Sequence, residues 1–103
     1  MKSYWVVFAD VNDPEAYKAY QAANAAPIRK YGGRFLIRGM DHRVVEGSAR
    51  SRLVVIEFPS AEAASDCYNS PEYTAAKSIR EDLSVADFAI APGYDGPQPS
   101  DAN

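Results

Sequence analysis

The chain has 103 residues, 47% hydrophobic and 24% charged, a balance that fits one folded domain and excludes wholesale disorder. A formal net charge of −3 argues against a nucleic-acid partner, which would require a basic face. The single cysteine, Cys67, leaves no internal disulfide and no cysteine-cluster metal site. No run is apolar over the length of a bilayer, and the N-terminus lacks a signal-peptide pattern, so the expectation is a cytoplasmic protein with no membrane partner.

Residues 3–11 predict a strand, because Tyr4-Trp5-Val6-Val7-Phe8 is aromatic and β-branched on both faces. Asp13-Pro14-Glu15 then starts a helix: Asp13 can cap, Pro14 suits the first turn and Glu15 complements the helix dipole. Tyr17, Tyr20 and Ala23 share one face of that helix, Pro27 should kink or restart it, and Gly32-Gly33 ends it. Residues 34–40 form a second strand, with Phe35 and Ile37 on one face and Arg34, Leu36 and Arg38 on the other. A polar turn region surrounds Val44-Val45, and residues 52–58 form a third strand. Ser60 and then Ser70-Pro71-Glu72 give two successive helix starts, and residues 85–91 form a fourth strand.

The order β-α-β-β-α-β predicts an α+β, ferredoxin-like domain: a four-stranded antiparallel sheet with helices on one face. Residues 1–92 make this single domain. Residues 93–103, rich in Pro, Gly and Asp, read as an extended C-terminal arm without an element of its own, with Tyr94 as the anchor on a partner subunit. Phe35, Ile37, Val54, Ile56, Phe58, Phe88 and Ile90 form the face expected to meet the helices. The other face mixes Leu36, Leu53, Val55, Val85 and Ala89 with Arg34, Arg38, Glu57 and Asp87. That is too apolar for water, so a second copy of the chain should cover it as a homodimer.

The strings GGRFLIRG (32–39), VEG (45–47), VVIEFPSAEAA (54–64) and SPEY (70–73), with the Tyr17/Tyr20 pair ahead of the glycines, resemble the domain-of-unknown-function 1330 family. The resemblance implies a dimeric α/β barrel, in which two ferredoxin-like sheets pack face to face. It also implies a superfamily that includes small monooxygenases, lactone isomerases and haem-degrading proteins. It implies no agreed activity. Where the family often has Trp before the Tyr of its second helix, this chain has Cys67.

Several residues are candidates for chemistry. His42, the only histidine, could act as a base oriented by Asp41, or be an exposed turn residue. Arg38 and Glu57 fall on one face of neighbouring strands. Arg38 would hold a carboxylate or enolate while Glu57 moves a proton, or the two would form an ion pair that fixes the dimer. Asp87 could join either network. Tyr17, Tyr20 and Asn24, with Tyr73 from the later helix, would offer donors to a cleft between helix and sheet, or simply fill the core. The function these residues suggest is binding of, or action on, a small carboxylated or aromatic metabolite without a tightly bound cofactor; a non-catalytic dimeric module is the alternative. No metal set can be assembled from one His and one Cys.

Overall fold

The computed structural model describes residues 1–101. The chain runs β1 (Ser3–Val11), α1 (Pro14–Lys30), β2 (Arg34–Arg38), β3 (Arg52–Phe58), α2 (Ala61–Asn69), α3 (Pro71–Arg80) and β4 (Ser84–Pro92). The strands form one antiparallel sheet in the order β2-β3-β1-β4, so the fold is α+β and ferredoxin-like.

Local chemistry accounts for most boundaries. Asp13 accepts from the Ala16 N–H at 3.1 Å and opens α1 with Pro14 in its first turn. The helix does not restart at Pro27: α1 runs through it to Lys30. Proline costs little here, because only the Ala23 carbonyl loses its donor and the helix ends within the next turn. The second helical half is two helices joined at Ser70. Its Oγ accepts from the Tyr73 N–H at 3.1 Å and donates to the Cys67 carbonyl at 2.7 Å.

Trp5 on central β1 organises the core. Its ring centroid lies 4.8 Å from Phe58 and 5.0 Å from both Tyr73 and Phe88, and its indole N–H donates to the Ala64 carbonyl at 3.0 Å. Cys67 is fully buried on α2, and burial pushes its thiol up to about 12.

The expected pleat of β2 is wrong by one residue. Phe35 pairs with Ile56, but Ile37 pairs with Val55 and Arg38 with Val54, so the register shifts between Phe35 and Ile37. This bulge sends Ile37 to the open face of the sheet and turns Arg38 toward the helices. Arg38 stacks over the Phe35 ring with its guanidinium carbon 4.1 Å from the ring centre. Arg38 and Glu57 therefore lie on opposite faces, and the pairing expected between them does not form. Ile90, paired with Trp5, does lie on the helix-side face as expected, but on outer strand β4 it stays 39% exposed.

On the open face, the Tyr4 hydroxyl donates to Glu57 at 3.1 Å and Lys2 approaches the same carboxylate at 3.4 Å. Leu36, Ile37 and Val85 are each more than 40% exposed there. Past β4, the Gly93 N–H donates to the Lys2 carbonyl at 2.8 Å. The segment is not wholly without structure: Pro99–Asp101 forms a 3₁₀ turn in which the Gln98 N–H donates to the Asp101 carboxylate. Tyr94 is exposed, and its hydroxyl donates to the Pro97 carbonyl within the same segment. The last two residues of the expected arm, 102 and 103, lie outside the described residues.

Candidate functional site

A cleft of about 230 Å³ opens between α1 and the helix-side face of the sheet. One end is apolar, formed by Trp5, Val7, Val54, Ile56 and Phe88. The other end carries Tyr17, Tyr20, Gln21 and Asn24 from α1, with Arg38 from β2 and Arg52 from β3. The two halves are legible in the secondary structure. Positions 17, 20, 21 and 24 share one side of a helix, and Arg52 shares parity with Val54 and Ile56 on its strand.

No carboxylate lines this cleft, and among the described residues neither Arg38 nor Arg52 forms an ion pair. Two further polar atoms are unmatched. Asn24 Oδ1 and Arg52 Nε are buried with no hydrogen-bond partner. Buried polar atoms without partners cost free energy, so their concentration in one concave site points to a ligand that would pair them. The Arg52 guanidinium carbon lies 5.9 Å from the centre of the Tyr17 ring, and the guanidinium packs so closely over Gly39 that a Cβ there would overlap it. Gly39 also has a φ of +69°, which favours glycine, and a side chain there would displace the Arg52 guanidinium.

Behind the cleft wall, the Tyr20 and Tyr73 hydroxyls are 2.7 Å apart, and Arg80 donates to Tyr73 at 3.5 Å. Arg80 is buried without a carboxylate among the described residues; its guanidinium sits 5.6 Å from the Tyr20 ring centre and 5.9 Å from that of Phe88. Burial, with the neighbouring Tyr20, pushes the Tyr73 phenol well above its ordinary range. Burial also raises Tyr17, against the opposing pull of Arg52 and Arg80. Both phenols therefore stay protonated near neutral pH and can donate hydrogen bonds.

Of the residues singled out from sequence, Tyr17, Tyr20, Asn24 and Arg38 meet in this cleft, and Tyr73 supports Tyr20 from behind. His42 and Glu57 do not join them. His42 lies edge-on to Phe8, 6.3 Å between ring centres, and Phe8 alternates to the face opposite Trp5. Glu57 is held on that same open face by Tyr4 and Lys2. Asp87 pairs with Arg50, which also reaches Asp10, at 3.0 Å in both cases. Arg52 escaped the sequence reading, although a cation heading the otherwise apolar face Val54-Ile56-Phe58 is a signal that could have found it. Among the described residues no group of three or more His, Cys, Asp or Glu side chains gathers for a metal ion.

No curated protein matches the chain in sequence. Among solved structures it is similar to a protein of unknown function from Rhodopseudomonas palustris, with 16% identity, a TM-score of 0.73 and coverage of 92% of this chain and 84% of that one. It is also similar to SnoaB, a cofactor-independent oxygenase from Streptomyces nogalater, with 15% identity, a TM-score of 0.63 and coverage of 92% and 95%. A dimeric protein of unknown function with a ferredoxin-like fold from Bacteroides fragilis matches at 14% identity, a TM-score of 0.60 and coverage of 89% and 96%. The family model described as domain of unknown function (DUF1330) matches residues 2–94, and the chain belongs to that family.

Proposed function

We propose that the cleft binds a small aromatic anion, a carboxylate or an enolate. Its ring lies against Trp5 and Phe88, and its charged oxygen meets Arg38 and Arg52. One observation carries this reading: two guanidiniums, one of them with a buried and unpartnered Nε at Arg52, line a largely apolar cleft that holds no acid. Guanidiniums pair well with planar oxyanions, and the aromatic floor suits a planar ring. Tyr17 would add a neutral donor to the same oxygen, while Tyr20, whose hydroxyl meets Tyr73, walls the cleft. Deprotonating a ligand would need a base, and Glu57, on the far face of the sheet, does not supply it. Any reaction there would therefore start from a ligand already ionised on binding, stabilised as an anion by the two arginines.

We also propose that the open sheet face is covered by a second copy. Leu36, Ile37 and Val85 are exposed there around the Tyr4–Glu57 bond, and a dimeric neighbour shares the fold.

Calorimetric titration at pH 7 with 2-naphthoate and with uncharged 2-naphthylmethanol tests the first reading. The acid should bind at least about tenfold tighter, since a hydrogen bond to a charged group contributes about 1.5–3 kcal/mol. Arg38→Gln and Arg52→Gln should each remove most of that preference. Equal binding of acid and alcohol, or a preference unchanged in both variants, overturns it.

A further inference from the structure

The cleft does not end at Arg52. A second cleft of about 380 Å³ continues along α1 toward its N-terminus, and Tyr17, Gln21 and Arg52 belong to the walls of both. The two differ in chemistry. The inner cleft is mostly aromatic and aliphatic, whereas the outer one adds Lys18, Ser51 and the backbone of Gly39.

The dividing residue is held in an unusual way. Arg52 leaves β3 with its Nε buried and unpartnered, and its guanidinium packs against Gly39 in the space a side chain there would occupy. Gly39 is itself tied to β3 by its N–H to the Leu53 carbonyl at 2.8 Å. An arginine packed on backbone in this manner has little rotamer freedom left to lose when it meets an anion. It is also reachable from both sides, so an oxyanion bound to it stands at a junction and not at the end of the site.

We propose that the two clefts are one bipartite site. Its ligand is an aromatic anion that also carries a hydrophilic arm beside the charged oxygen: the ring fills the inner cleft, the anion sits on Arg52, and the arm lies in the outer cleft. The arm offers oxygen acceptors, because the Gln21 amide can donate to them, and so can Lys18 Nζ by leaving exposed Glu15, 3.1 Å away, and the Ser51 hydroxyl by leaving its long 3.5 Å bond to the Ala9 carbonyl. This proposal rests on the aromatic-anion reading above and adds to it the length and polarity of the ligand.

Two probes of equal charge and ring size separate the ideas. One is 3-methoxy-2-naphthoate; the other carries a 2-(2-hydroxyethoxy)ethoxy arm in place of the methoxy group. By calorimetry the armed probe should bind the wild-type chain about tenfold tighter. Amide resonances of Gly39 and Ser51 should shift with the armed probe well beyond their response to the methoxy probe. Lys18→Trp, a change on the exposed side of α1 that fills the outer cleft, should collapse the ratio of the two affinities toward one. If the methoxy probe binds and the arm adds nothing, the bipartite site is overturned while the inner aromatic-anion site stands. If neither probe binds, both readings fail together. An armed probe that binds tighter but keeps its advantage in Lys18→Trp, with Gly39 and Ser51 unmoved, places the arm elsewhere and also overturns the proposal.

Discussion

Cys67 shows what burial does to one titratable group. The folded chain holds its proton up to about pH 12, against an ordinary value of 9.0. The folded value is the raised one, so the full contribution to stability is present below about pH 9. It is lost as pH climbs toward 12, because the unfolded chain ionises first. Over that window one such group lowers stability by about 1.4 kcal/mol per pH unit. Urea midpoints at pH 8 and pH 10 should therefore fall more steeply for the wild type than for Cys67→Ala. Parallel falls in the two proteins would show that this thiol is not the group responsible. The same burial makes the thiol unreactive: near neutral pH an alkylating reagent should label Cys67 only once the protein unfolds.

The α2–α3 junction depends on a single hydroxyl. Ser70 both receives the Tyr73 N–H in the first turn of α3 and donates to the Cys67 carbonyl near the end of α2, and it is itself buried. Ser70→Ala should destabilise by about 1–2 kcal/mol, more than the same change at Ser60, whose hydroxyl makes a cap bond to the Ala63 N–H alone. Chemical denaturation of both variants checks the order; equal losses would mean that the second bond contributes nothing. Junctions of this kind are legible in sequence, because Asp13, Ser60 and Ser70 each announce a helix through short-range chemistry. Strands β1 and β3 are legible for the same reason: Trp5, Ile56 and Phe58 alternate into the core as simple pleat counting expects. Strand β2 is not. Its bulge is set by pairing with β3, a long-range constraint that residues 34–38 do not advertise, and it alone decides which way Arg38 faces. The α1 half of the candidate site, Tyr20 and Asn24, could be found from helical spacing. The strand half could not be assembled without the register.

At the scale of the molecule, the sheet separates two kinds of surface. One face is covered by helices and holds the cleft, while the other presents Val6, Val55 and Ala89 beside the enclosed Glu57 carboxylate. Burial of that second face against a copy of itself is the expected outcome. Light scattering at micromolar concentration should then give about twice the chain mass of 11.3 kDa. Val55→Lys, which places a charge on an inner strand of this face, should shift the protein to monomer while leaving the helical circular dichroism intact. A wild-type monomer in the same measurement would remove the interface altogether.

The surplus residue in β2 also joins two properties in one short strand. Because the strand is one residue longer than its pairing needs, it offers Leu36 and Ile37 to the outside and still returns Arg38 to the inside. A chain with Leu36 deleted would regain an even pleat, with Ile37 still outward and Arg38 still inward. It would lose one apolar group from the surface that meets its copy and keep the cation in the cleft. Length variation at this point could thus weaken self-association with little cost to ligand preference, so the two traits could drift apart through a single codon gained or lost.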